Sequence, residues 1–309
     1  YAKLSLKAIM SRADLLDDPF LKPELCHGFP DILVERFPKS LENHRLHREM
    51  ITTILVNQVV NRAGLTFVYE VREETGLGVD QIFSAFLVVR DIFRLQSLWP
   101  QIDALDHQVP ATIQTLMHLE LTTLIKQQTI WFLRNEDRPL AIKSLIETYG
   151  DGVAALLAQP EEVLSPLSRE AYQTRVAMYE EQGTPLDLAR RVVSLQMLGF
   201  CCDVQKVAMV LGRDVVDVGR AFSEIGECIG FDWLRQTSEL ISTEDHWDRL
   251  AARAVLDDLA DQQRELTRYI LQNTGGDQGS EAVSTWFKEQ EMTRLRADRL
   301  LADLKSSGP

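Results

Sequence analysis

Two histidines three residues apart, His44 and His47, stand in the run "ENHRLHRE" beside Glu42 and Glu49. Imidazoles and carboxylates at that spacing could hold a metal ion on one helix face. The commoner meaning of such a run is a solvated, charged helix start. The cysteines are Cys26, Cys201, Cys202 and Cys228, one adjacent pair and two distant singles. That spacing fits neither a zinc site nor a secreted disulfide framework, so reduced, mostly buried thiols in a cytoplasmic protein are expected. "TGLGVD" at 75–80 contains G-x-G with no strand before it and no third glycine in place. It reads as a helix stop and restart, not a dinucleotide fingerprint. The chain has no P-loop, no G-x-S-x-G elbow and no H-E-x-x-H helix, and these are the local signatures of phosphate, nucleophile and zinc chemistry. Acidic pairs such as Glu73–Glu74, Glu161–Glu162 and Asp257–Asp258 look like helix surfaces or first turns. No residue is therefore assigned to catalysis, to cofactor binding or to a metal.

The polar residues that do stand out lie within apolar helices. In "MITTILVNQVVNRAG" the apolar residues Ile51, Ile54, Leu55, Val56, Val59 and Val60 point in nearly all directions at about 100° per residue, the pattern of a buried central helix. Asn57 and Asn61 share a face with Met50 and Ile54 and are expected to be buried and hydrogen-bonded. Arg62 precedes Gly64, where a cation suits the helix end. A second helix begins at Pro110, and its apolar face (Ile113, Leu116, Met117, Leu121, Leu124, Trp131, Phe132) encloses Glu120. A carboxylate there needs a basic partner, and Arg62 and Arg90 are the candidates. Asn57, Asn61, Arg62, Arg90 and Glu120 thus form a candidate buried polar network. It either fixes the register of packed helices or lines a ligand or regulatory pocket.

The elements that must position these residues are helical almost throughout. Proline and glycine punctuate segments of helix length, with long helices over about 41–63, 110–135, 168–182 and 245–272. The fold class is all-α, a multi-helix globular bundle of two helical subdomains with little or no sheet. The division expected is short helices over 1–40, a first subdomain over 41–138, a second over 139–272, and a flexible loop and terminal helix over 273–309. "NEDRP" and "AQPEEVLSP" are the candidate joints. "VDQIFSAFLVVRDIFRLQSL" at 79–98 also aligns without gaps on "VVDVGRAFSEIGECIGFDWL" at 215–234, each preceded by a glycine, Gly76 and Gly212. Either one helical unit is used twice, or two amphipathic helices share a common pattern.

Of the 309 residues 45% are hydrophobic and 26% charged, a globular balance, and the formal net charge is −13. That acidity offers no basic stripe for nucleic acid or for an anionic membrane surface. No apolar run approaches the roughly 18 residues of a spanning helix. The chain opens on "YAKLSLKAIM", without Met or a capping residue, and is expected to be a piece of a longer polypeptide.

"HRLHREMITTILVNQVVNRAGLTFV" at 44–68 resembles the C-terminal region of the large NAD-specific glutamate dehydrogenases of bacteria. The resemblance continues, in order, through "YAKLSL" at 1–6, "LDDPFLKPEL" at 16–25, "FPDILVERFP" at 29–38, "LDHQVPATIQTLMHLEL" at 105–121 and "WFLRN" at 131–135. It extends to "GRDVVDVGRAF" at 212–222, "GFDWL" at 230–234 and "DHWDRLAARAVLDDLADQQREL" at 245–266, and weakens after Leu271. It implies a parent enzyme that converts L-glutamate, NAD and water to 2-oxoglutarate, ammonia and NADH. The parent's catalytic lysine, nearby aspartate and Rossmann domain would lie upstream of Tyr1, so no catalytic residue is carried over and no cofactor is expected in this piece. The resemblance implies a non-catalytic helical domain that supports or assembles the catalytic domain of the same polypeptide, in a homo-oligomeric parent. The alternative is a regulatory domain that binds an amino-acid effector, in a pocket lined by Glu120 or the acidic run at 70–74.

Overall fold

The apolar run "IFSAFLVV" at 82–89 has no polar face to turn toward water, and it forms the middle of a helix that buries eleven of its fourteen residues. This helix, α6 (Val79–Ile92), occupies the central position that the periodicity assigned to the preceding long helix. The computed structural model describes residues 2–42, 44–230, 246–273 and 283–288, and among them all regular structure is helical, with no strand. Before α6 come α1 (Ala2–Met10), two 3-10 stretches (Asp14–Asp17 and Pro19–Gly28), α2 (Asp31–Arg36), α3 (Pro38–Glu42), α4 (His47–Arg62) and α5 (Phe67–Thr75). After it come α7 (Leu95–Asp103), α8 (Ala111–Asn135), α9 (Ile142–Ala158), α10 (Pro160–Val163), α11 (Pro166–Glu181) and α12 (Leu186–Met197). The last are α13 (Cys201–Leu211), α14 (Val215–Cys228) and α15 (His246–Asn273). The terminal helix expected over 281–305 lies mostly outside the described residues, of which 283–288 are helical; the expected loop lies outside them beyond Asn273.

The chain divides into two compact units, one of Tyr1–Ala154 and Thr174–Gly199, the other of Ala155–Gln173 and Phe200–Pro309. The division falls inside α9 and inside α11 and at the start of α13. In the first unit α6 packs on α8, α5 and α12 also lie against α8, and α4 packs on α1 and on the second 3-10 stretch. In the second unit α14 packs on α10, α13 and α15.

α4 is amphipathic rather than apolar all round. It buries Ile51, Thr52, Leu55, Val56, Val59 and Val60, a single stripe at i, i+1, i+4 and i+5, while Ile54 and Asn57 are half-buried and Asn61 is exposed. β-branched residues beside that stripe spread the apolar signal around the wheel without placing those positions inside.

Over the described residues the sequence echo corresponds to a similar glycine-capped turn and helix used twice; its part at 231–234 lies outside them. α5 ends on Gly76 at φ 71° and α13 on Gly212 at φ 61°, both left-handed caps that a residue with a Cβ adopts at a cost. Two linking residues follow in each case (77–78 and 213–214), then a fourteen-residue helix, α6 or α14.

Candidate functional site

The five residues singled out by sequence do not form one network: within the first unit Arg90, Arg62, Glu120 and Asn61 each meet different partners. Arg90 is the most enclosed, with 1% of its side chain exposed. Its Nη2 donates to Glu24 Oε1 at 2.7 Å, its Nε to Asp91 Oδ1 at 2.7 Å, and its Nη1 to Gln58 Oε1 at 3.0 Å. The amide of Gln96, turned so that its oxygen faces the guanidinium, accepts from Nη1 at 2.9 Å. Burial alone would lower the Arg90 pKa, but the hydrogen bonds with Asp91 and Glu24 outweigh it and hold the group above the ordinary guanidinium value. The residue of α4 that reaches Arg90 is Gln58, not Asn57. Asn61 lies at the surface, where its Oδ1 accepts from Lys3 Nζ at 3.0 Å.

Arg62 closes α4 onto α7. Its two terminal nitrogens grip Asp103 at 2.7 and 3.2 Å, and its guanidinium carbon stands 5.3 Å from the centre of the Trp99 ring, a bidentate pair with a cation–π contact. His118 on α8 joins through Nε2, 3.2 Å from Asp103 Oδ1. The Arg62 hydrogen bond holds the Asp103 carboxyl below its usual value. Burial, with the Arg62 charge, pushes His118 down despite Asp103.

Glu120 meets neither Arg62 nor Arg90. Its carboxylate, 8% exposed, accepts from Arg175 Nη2 and, at 2.9 Å, from the Tyr179 hydroxyl. The reason is the helix angle. His118 already faces Asp103 and Arg62, and two residues further along α8 the side chain points about 200° away, toward α11. There Arg175 and Tyr179, four apart, share one face. Burial and the Glu120 charge raise the Tyr179 pKa, so the phenol stays protonated as the donor.

Other ion groups were not foreseen from the sequence, two of them between helices. Lys126 on α8 binds Glu70 at 2.8 Å and Glu74 at 2.9 Å on α5, which occupies two members of the acidic run at 70–74. In the second unit Arg264 on α15 donates to Asp203 on α13 at 2.8 Å and also pairs with Asp261. The i, i+4 spacing of Glu70 and Glu74 was visible in the sequence, but their partner lies 56 residues from Glu70.

All four cysteines are free thiols. Cys201 and Cys202 are buried, Cys26 is half-buried and Cys228 is exposed. Burial, then the Asp203 charge, pushes the Cys201 thiol far above its ordinary pKa, so it packs as an apolar group. Among the described residues no three His, Cys, Asp or Glu side chains converge on a metal position, and no single helix is long and apolar enough to cross a membrane. An open polar cleft of about 550 Å³ lies where α8 ends, lined by Gln81, Arg134, Asn135, Glu136, Asp137 and Arg138. It includes neither Glu120 nor residues 70–74. The arrangement is suited to locking helices together, with Arg90, Glu120 and Asp203 each matched by an opposite charge on another helical segment.

The chain matches, over residues 1–309, the family described as "Glutamate dehydrogenase, C-terminal". It is 33% identical over 308 residues to the NAD-specific glutamate dehydrogenase of Pseudomonas aeruginosa, covering 99% of this chain and 19% of that protein. The NAD-specific glutamate dehydrogenase of Halomonas elongata is 30% identical over 307 residues, again 99% of this chain and 19% of the relative. That of Mycobacterium tuberculosis is 26% identical over 309 residues, 100% of this chain and 19% of the relative. The chain thus spans about a fifth of the length of these curated relatives.

Proposed function

Because the chain belongs to the glutamate dehydrogenase C-terminal family, we propose that it is the helical C-terminal part of a large NAD-dependent glutamate dehydrogenase and that it supports the catalytic part of the same polypeptide. On this reading the parent oxidises L-glutamate with NAD and water to 2-oxoglutarate, ammonia and NADH, and the residues that do so, with the NAD site, lie outside these 309 positions. The observation that carries the supporting role is the pairing of interior charges across helices: Glu24 with Arg90, Glu120 with Arg175, Asp203 with Arg264. Each pair joins residues more than fifty positions apart, and such pairs favour one packing of helices over its alternatives.

The test is a parent polypeptide ending before Tyr1, assayed for glutamate-dependent NADH formation and for assembled size, with and without the 309-residue chain added back. Impaired turnover or assembly that the added chain restores supports the reading. A truncated parent with normal size and turnover overturns it. One observation favours the second reading, an amino-acid effector site: the cleft at the end of α8 offers two arginines, Arg134 and Arg138, beside Glu136 and Asp137, both signs of charge that a zwitterion requires. Isothermal titration of the chain with single amino acids separates the two readings, since only the second expects saturable heat that Arg138→Ala abolishes.

A further inference from the structure

Residues 31–40 stand apart from the rest of their unit. α2 buries none of its six residues, and of the ten positions only Val34 is even half-covered. Ile32, Leu33 and Phe37 are 56%, 38% and 53% exposed. Leu33 and Phe37 are four apart, joined by the Phe37 N–H bond to the Leu33 carbonyl at 2.9 Å, and Ile32 adjoins them. They make one apolar face between Pro30 and Pro38. A six-residue helix cannot repay its own nucleation, and in a protein it is held by burying an apolar face. α2 packs on α3, its neighbour in the chain, yet the apolar face itself is open.

Charge marks the same region. The first 46 residues hold seven basic and seven acidic side chains, so the whole formal charge of −13 is carried by the remainder. A net-neutral stretch spares a partner the repulsion of the acidic remainder, and Ile32, Leu33 and Phe37 exposed together are the kind of apolar patch that marks an interaction surface.

We propose that the face formed by Ile32, Leu33 and Phe37 is the surface on which the preceding part of the same polypeptide docks. This rests on the reading of the chain as the C-terminal part of a longer enzyme. The curated relatives are about five times as long, and the matched region is described as C-terminal. The remaining four-fifths therefore precede α1 in the chain, and α1 to α3 are the first elements to follow them. A tethered partner meets the face at a high effective concentration, so a face of three side chains suffices. A free partner needs about 800 Å² on each side.

The test uses the complete polypeptide with a photo-reactive phenylalanine analogue in place of Phe37, and maps the cross-linked peptides by mass spectrometry. Cross-links to residues upstream of Tyr1 are expected. Cross-links to residues 1–309 of a second copy, or none, overturn the proposal. As a second arm, Ile32→Glu with Phe37→Glu, also in the complete polypeptide, should accelerate limited proteolysis between this region and the upstream part by about tenfold or more, in step with the undocked population. An unchanged rate overturns the proposal. A polypeptide that needs residues 1–309 for turnover yet gives no upstream cross-link keeps the supporting function and loses the docking face.

Discussion

α5–α6 and α13–α14 share a glycine-capped turn and a fourteen-residue second helix and differ in how they fill the space around it. Both pairs turn on a left-handed glycine, and both second helices run for fourteen residues. In the aligned register Phe83 of α6 corresponds to Gly219 of α14, and Arg90 to Gly226. Phe83 fills the first unit's core as a large, fully buried side chain. At Gly219 a Cβ would stand 2.8 Å from Leu156 and 3.1 Å from Val163, so the helix neighbours occupy that space themselves. Arg90 brings a charge inward and gathers Glu24, Asp91 and Gln58 around it. At Gly226 the equivalent space belongs to Gln263, whose Nε2 donates to the Phe222 carbonyl at 2.8 Å. The comparison separates two tasks. Glycine caps and apolar periodicity make the helix pair, while two positions within it decide whether a neighbour is held by a reaching side chain or by close approach.

The largest effect should come from Arg90→Leu. It strands Glu24 without its guanidinium and should cost about 3–5 kcal/mol in urea unfolding of the chain; removing Glu24 as well should recover much of that loss. A loss of the single variant within about 0.5 kcal/mol, the range of an ordinary surface change, would mean that the first unit does not depend on its charged centre. Next, Gly219→Val should destabilise by about 1–3 kcal/mol through overpacking against Leu156 and Val163. Gly150→Ala in α9, where a Cβ meets nothing within 4 Å, is the control and should stabilise by roughly 0.5–1 kcal/mol.

A smaller difference lies in the helix starts. The Asp214 side chain caps α14 by accepting from the Val216 and Asp217 N–H groups at 3.0 Å, whereas Gly78 before α6 offers no side-chain cap. Asp214→Ala should therefore cost about 1 kcal/mol, read as a lower melting temperature. The smallest effect is pH-dependent and confined to the first unit. Asp103 and Glu70 are held below their ordinary values by hydrogen bonds from Arg62 and Lys126. Depressed carboxyls leave the unfolded chain binding more protons, so their stabilisation is present above the ordinary values of 3.8 and 4.5 and is lost as pH falls through the folded ones. Trp99 fluorescence, followed through unfolding between pH 6 and pH 2.5, should report that loss, and Asp103→Asn should flatten it.

Much of the local structure was legible in the residues. The helix at 110–135 starts within one residue of its expected place, because Pro110 stops backbone donation at the first turn. The echo around Gly76 and Gly212 foretold two helices of equal length. The site was less legible. Glu120 announced its need for a cation, since a carboxylate on an apolar face must be paired, but nothing nearby in the sequence pointed to Arg175. Asn57 and Asn61 were expected inside because aliphatic residues flank them on the wheel, and they lie half-buried and exposed.

The sequence by itself determined that this chain is helical, where several of its long helices lie, and which residues would be costly to bury alone. Those properties follow from backbone preferences and from a period of 3.6, which act within a few residues. Only the tertiary structure decided that Gln58 rather than Asn57 reaches Arg90, that Arg62 holds Asp103, and that Glu120 pairs with α11. Periodicity gives the direction in which a side chain leaves its helix. It carries no information about which other helix stands there, because that is set by the packing of surfaces brought together from distant parts of the chain.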